Sequence, residues 1–256
     1  MPSSIDPDDP WLHLDGISSA SSNSQQPALH IRTIEGVTPL DAQIGAFPKK
    51  TVPDALYDAL FGQPKPTATE VHAADGDVTA IIPMNTYAIL DAAKITNLPD
   101  ILEGSGLEYT CLFKGSALED LKNIAPWIVS LGIENLFTRN LFTKSNMPFH
   151  LWDEAIVSGG SMFCRSYMPI DEIKKHFRRF TQVKNESGKI INISFWSPSF
   201  LSAARHTTTS HREDMVIALL SAGPLITIQQ HEHGKDPGTS FLLMSIDTTK
   251  PSDMEK

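Results

Sequence analysis

A mixed α/β (α+β) body, with short helices packed on a mixed sheet, is the fold class this sequence predicts. Three observations lead there. From residue 78 onward, short β-branched or apolar runs bounded by turn formers alternate with short helical patterns. Hydrophobic residues make up 41% of the chain, enough for an ordinary globular core. At 256 residues the expectation is one large or two small domains. The organisation expected is a polar, Ser-rich, flexible leader over 1–50, a body over 51–246 and a polar tail over 247–256. The body leaves room for two lobes, 51–165 and 166–246.

The leader rests on the tract Ser18-Ser-Ala-Ser-Ser-Asn-Ser-Gln-Gln26, which cannot bury enough apolar surface to offset the entropy of ordering it. Leu29-His-Ile-Arg-Thr-Ile34 alternates apolar and polar and permits one short strand. Val52 to Phe61 fits a helix, with Pro53 at the first position, Leu56 and Leu60 one turn apart, and Gly62 as the stop. Gln63 to Asp77 reads as a loop. Val78 to Ile82, Tyr87 to Leu90 and Tyr109 to Phe113 read as strands. Ser116-Ala-Leu-Glu119 has the form of a capping box at a helix start, and Pro126 limits that helix before the apolar run Trp127 to Val129.

Met162 to Ser166 reads as a strand. In the next segment Ile170, Ile173, Phe177 and Phe180 recur at 3, 4 and 3 residues, which gives a helix one apolar face. Gln182 to Lys184 and Lys189 to Phe195 form a hairpin around Asn185-Glu-Ser-Gly188. Ser197-Pro198 starts a further helix, and Arg212 to Leu220 forms another. Strands follow at Leu225 to Gln229 and Ser240 to Ile246.

With 21 Lys+Arg against 30 Asp+Glu, the net charge of −9 argues against nucleic acid or an anionic membrane as partner, since both need clustered cations. The two cysteines, Cys111 and Cys164, are too few for a disulfide scaffold and fit a reducing compartment. The N-terminus carries no secretory signal pattern. The most apolar stretch, Met215 to Ile228, is too short to cross a bilayer. A cytoplasmic protein is expected.

No phosphate-binding, dinucleotide-binding or nucleophile-elbow motif is present. Cys164 sits in an apolar strand with no assignable base and reads as core. Asp91, at the end of a strand, reads as an acceptor for the backbone amides of the next turn. His206, His211, His231 and His233, near Glu213, Asp214 and Glu232, offer a conceivable metal cluster. None has a recognised ligand spacing, and solvated loop histidines are the preferred reading, so no metal and no cofactor are expected. Lys174, Lys175, Arg178, Arg179, Lys184 and Lys189 place six of the 21 cations within sixteen positions of an acidic chain. Dipole complementarity explains such an island; a docking patch for a partner is the alternative. Trp127, Trp152 and Trp196 read as core fillers or, being a residue type that dominates interfaces, as partner anchors.

Six segments occur in a recognisable order: Tyr87-Ala-Ile-Leu-Asp-Ala-Ala93, Tyr109-Thr-Cys-Leu-Phe-Lys-Gly115, Leu118-Glu-Asp with Ala125-Pro-Trp-Ile-Val129, His176-Phe-Arg-Arg-Phe180, Gly188-Lys189, and Phe195-Trp-Ser-Pro-Ser-Phe-Leu201. Together, over about residues 52 to 230, they resemble the bacterial type VI secretion effector chaperone or adaptor domain, first catalogued as a domain of unknown function. The family pattern Arg-Phe-Tyr-Asp-Pro-Arg-Val is Ser194 to Phe200 here, without its two arginines and its aspartate.

The resemblance implies a non-enzymatic protein that binds a cognate toxin effector in the cytoplasm and helps load it onto the secretion spike or its tip. Trp127, Trp152, Lys174, Lys175, Arg178, Arg179 and Trp196 are the residues expected to touch a partner. The rival readings are a metal-dependent hydrolase using the His cluster and an immunity protein that neutralises a toxin.

Overall fold

The computed structural model describes residues 27–184, 189–201, 210–229 and 239–246. Its centre is a seven-stranded sheet built from β1 (Leu29–Val37), β2 (Asn85–Asp91), β3 (Tyr109–Cys111), β4 (Pro126–Leu131), β5 (Ser161–Ser166), β8 (Leu225–Ile228) and β9 (Thr239–Ile246). The order is β1-β9-β8-β5-β2-β4-β3. A separate hairpin joins β6 (Gln182–Lys184) and β7 (Ile190–Asn192). The α+β class is as read from the sequence, but every ladder in the sheet is antiparallel where a mixed sheet was expected.

The continuous apolar runs of the central strands follow from burial on both faces. Ala88 and Leu90 of β2 point to one side with Trp127 and Val129 of β4, while Tyr87 and Ile89 point to the other with Ile128, Met162 and Cys164. Each fully buried Leu, Ile or Phe contributes about 1.5–3 kcal/mol. An antiparallel strand with only one covered face would instead alternate apolar with polar.

The first face is covered by α1 (Asp54–Phe61), α3 (Leu98–Glu103), α5 (Leu136–Leu141) and a π-helical segment, Trp152–Val157. The second is covered by α6 (Ile170–Arg178), the helical turn at 198–201 and α7 (Ser210–Leu220). In α6 the buried Ile170, Ile173 and Phe177 form the expected stripe, with Asp171 and Glu172 in the first turn and Lys175, His176 and Arg178 in the last.

Five expectations are corrected. β1 pairs with β9 along Leu29 to Val37, so these residues belong to the body sheet and not to a leader ending at 50. The division at 165/166 falls at the end of β5, the middle strand, and the sheet continues across it. Val78 to Ile82 is not a strand: Asp77 caps a 3₁₀ turn, Val78–Ala80, by accepting the Thr79 amide, and Val78 and Ile82 stay exposed. The segment read as a loop from Gln63 to Asp77 contains α2 (Ala68–Ala73), headed by a full capping box between Thr67 and Glu70. The helix near Ser116 exists as α4 (Ser116–Leu121), but Gly115 stands at its N-cap and Ser116 lies one residue inside.

Arg165 ties the two sides of β5 to α1. Its side chain is buried, and the guanidinium donates to the carbonyls of Ala59 (3.2 Å), Gly62 (2.8 Å) and Met84 (3.4 Å). A cation placed on the last carbonyls of α1 also complements the helix dipole. Thr86, the neighbour of Arg165 in the β2–β5 register, donates its hydroxyl to Leu60 O.

Candidate partner-binding surface

The three tryptophans expected as partner anchors stand in the core. Trp127 is buried in β4, its Nε1 donating to Lys122 O (3.0 Å) at the end of α4 and its ring 5.9 Å from Tyr109. Trp152 is 2% exposed and packs on the first face. Trp196 is buried with Phe195 edge-on at 5.1 Å, and its Nε1 donates to Asp91 Oδ2 (3.1 Å). A buried indole is not available to a docking protein without opening the core. The sequence cue was sound for burial and blind to location, since Trp is favoured in both places.

Asp91 plays the structural part expected of it. Oδ1 accepts the Ala93 amide at 2.9 Å and Oδ2 the Trp196 indole, so one buried carboxylate joins the end of β2 to the segment before residue 198. Trp196→Phe will remove a hydrogen bond to a charged group and lower stability by about 2 kcal/mol, read as a lower urea midpoint with an unchanged slope.

The cationic island divides. Lys174 Nζ donates to Thr110 Oγ1 (2.7 Å), and Lys175 pairs with Glu172 (2.7 Å) on an exposed helix face. Arg179 stays exposed but folds back on its own helix: Nη2 donates to His176 Nδ1 (2.9 Å), Nε to His176 O (3.3 Å), and its guanidinium lies 5.6 Å from the Phe180 ring centre. Lys189 lies beside β7, and the Lys184 side chain is outside the described residues. The island is therefore not one patch: Arg179 is tied to His176, while Lys174, Lys175 and Arg178 share a cleft with Lys114.

His176 is held neutral by its two partners. The Leu219 carbonyl, 3.0 Å from Nε2, only accepts, so Nε2 carries the proton; Arg179 only donates, so Nδ1 is bare. Burial, and secondarily Arg179, hold its pKa below the ordinary histidine value, against the opposing hydrogen bond to Leu219. With the folded value depressed, the contribution is fully present above the unfolded value of about 6.5 and is lost as pH falls below it. The melting temperature will therefore drop on acidification from pH 7 toward 5, with a shallower dependence in His176→Gln; equal slopes would contradict this.

Both cysteines are buried and free, on opposite faces of the sheet. Burial pushes the Cys164 thiol up to about 12 and raises that of Cys111, which makes both poor nucleophiles. Ser145 Oγ pairs with His150 Nδ1 but also accepts the Met147 amide, which closes a turn rather than arming a nucleophile. His206, His231, His233 and Glu232 lie outside the described residues, as do the side chains of His211 and Glu213. Among the described residues, no group of three or more His, Cys, Asp or Glu could hold a metal ion, and no helix is long and apolar enough to cross a membrane.

The feature that sequence reading missed is the loop between β1 and α1. Ile44 is 93% and Phe47 97% exposed, yet the loop is firmly built. Arg139 of α5, itself buried, donates from Nη2 to Ala42 O (2.9 Å) and Asp41 O (3.3 Å). The Gln43 carboxamide spans the loop, its Nε2 donating to Lys50 O (3.0 Å) and its Oε1 accepting the Lys50 amide (2.7 Å). Gln43 adopts φ 47°, a left-handed conformation that a non-glycine residue holds only when its surroundings impose it. None of these bonds buries Ile44 or Phe47. Beside them lies a cleft of about 430 Å³ whose lining mixes the apolar Pro48, Val52, Tyr57 and Ile133 with the charged Lys49, Lys50, Asp54 and Glu134. Tyr57, one of the lining residues, is itself exposed. The loop thus presents two large apolar side chains to water next to a cleft, and exposed apolar surface of this kind marks interaction sites where it is contiguous.

The fold and this surface define an α+β protein with a buried, hydrogen-bonded interior and an exposed apolar loop. Residues 86–214, just over half of the chain, match the family model described as a domain of unknown function (DUF4123), and the chain belongs to that family. The match runs from β2 into α7, narrower than the stretch of about 52 to 230 over which the sequence motifs were read. No curated protein and no solved structure matches the chain.

Proposed function

We propose that this protein is a non-enzymatic adaptor that binds a toxin effector in the cytoplasm and helps load it onto the type VI secretion spike. Support for the family comes from the ordered motifs between Tyr87 and Leu201, all six of which lie within the matched stretch. The observation that carries a binding role is the loop that holds Ile44 and Phe47 in water. Two large apolar side chains kept in solvent on an ordered loop cost the free protein hydrophobic stabilisation that a partner restores on docking. The effector offers an apolar segment that aggregates when alone; the adaptor covers it and releases it at the spike.

Deleting the gene in its host tests this reading. The adaptor reading expects the effector to vanish from the culture medium while the producing cells survive. Normal export without the gene overturns it. Death of the producing cells from their own toxin would assign the protein to immunity instead.

A further inference from the structure

A second concave surface lies away from the apolar loop, where the turn after β3 meets α6. Lys114 from the turn and Lys174, Lys175 and Arg178 from α6 converge on a cleft of about 290 Å³ whose only acidic lining residue is Asp171. The α6 members recur at 171, 174, 175 and 178, the spacing that puts side chains on one helix face. Four cations thus gather in one concavity of a chain whose net charge is −9.

Their partners do not neutralise them. Lys174 is half-buried and is held by a neutral acceptor, Thr110 Oγ1 at 2.7 Å, which orients the ammonium without cancelling its charge. Lys175 is paired with Glu172, and more weakly attracted by Asp171, on an exposed face where such pairs are worth little in water. Among the described residues, neither Lys114 nor Arg178 has a carboxylate within ion-pair distance. Helix dipole compensation accounts for cations late in α6 but not for Lys114, which comes from another element.

We propose that this cleft binds carboxylates of an acidic, extended segment of a protein partner. Arg178 supplies the planar fork that takes a carboxylate through two N–H donors, and the lysines supply point charges around it. A polypeptide fits better than a free anion because the cleft opens beside β3, the edge strand of the sheet. Among the described residues β3 pairs only with β4, so a main chain can continue along it. The identity of the partner rests on the adaptor reading; binding to the cleft does not.

The test uses the full chain and a fluorescein-labelled hexaglutamate peptide, followed by fluorescence anisotropy at low salt. Saturable binding that weakens with added sodium chloride is expected, with hexalysine not binding. Lys114→Glu with Arg178→Glu will weaken binding at least tenfold, and Arg178→Gln alone will weaken it measurably. Arg32→Glu with Lys65→Glu, which changes net charge equally on exposed positions away from the cleft, will leave it unchanged. Equal losses in both double variants, or no binding, overturn the proposal. Displacement of the peptide by millimolar inorganic phosphate overturns the polypeptide assignment. If the peptide binds while effector export survives deletion of the gene, the adaptor reading fails and the cleft stands.

Discussion

Arg165→Met will destabilise the protein by about 3 kcal/mol. Methionine keeps most of the aliphatic length but no donor, so the carbonyls of Ala59 and Gly62 lose the guanidinium that pairs with them, while Met84 O keeps the Gln63 Nε2 donor at 3.1 Å. Each buried polar group left without a partner costs about 1–3 kcal/mol. Relief from burying a cation works the other way, and Arg165 Nε makes no hydrogen bond even now. The orphaned carbonyls outweigh that relief because removing one side of a buried polar contact leaves the other side unpaid. Arg165→Lys, which keeps the charge and loses the fork, will fall between the wild type and Arg165→Met. Urea denaturation curves measure the series, and a methionine variant as stable as the wild type would contradict the account.

Gly223→Ala will be at least as damaging, by about 3 kcal/mol or more. Gly223 has φ 138°, and a Cβ placed on it would sit 1.8 Å from Arg165 O and 3.0 Å from the Arg165 carbonyl carbon. These are backbone atoms of the strand that β8 must join, and the adjacent Pro224 carbonyl accepts the Arg165 amide at 2.9 Å. The chain cannot yield there without opening the β5–β8 ladder. Gly36→Ala is the internal control: Gly36 also has a positive φ, 66°, but a Cβ would meet nothing within 4 Å. It will cost only the conformational term, about 1 kcal/mol. Similar melting temperatures for the two alanine variants would show that the close approach at Gly223 is not what matters.

What the sequence made legible was set by how far each element's pattern escapes ambiguity. β2, β4 and β5 announced themselves because burial on both faces turns a strand into an unbroken apolar run. α6 did so because one face alone is covered. α5 was missed for the opposite reason: Phe137 through Leu141 are all buried, including Arg139 and Asn140, so it has no amphipathic period. α3 and the π-helical segment Trp152–Val157 are too short to build one. The two capping-box patterns, Thr67-x-x-Glu70 and Ser116-x-x-Glu119, are equivalent as strings, but Thr67 stands at the N-cap of its helix whereas Gly115 takes that place before Ser116.

The candidate site was less legible than the fold. Asp91 as a turn acceptor and Cys164 as core followed from position in a strand. The tryptophans did not, because residue type cannot tell a core from an interface. Ile44 and Phe47 flank Gly45-Ala46 in a segment without periodicity, and nothing in the string says that Arg139, nearly a hundred residues away, fixes their loop so that they stay in water.

The central claim is that this exposed loop is where a protein partner docks. Its most direct measurement is co-purification of the toxin effector with the wild-type chain and with Ile44→Ser/Phe47→Ser, both being expressed together. Because the two side chains bury almost nothing in the free protein, the variant will keep the wild-type melting temperature. The account predicts a stable complex with the wild type and at least a tenfold loss of affinity in the variant. Undiminished binding by a folded variant, or no complex with the wild type, would contradict it.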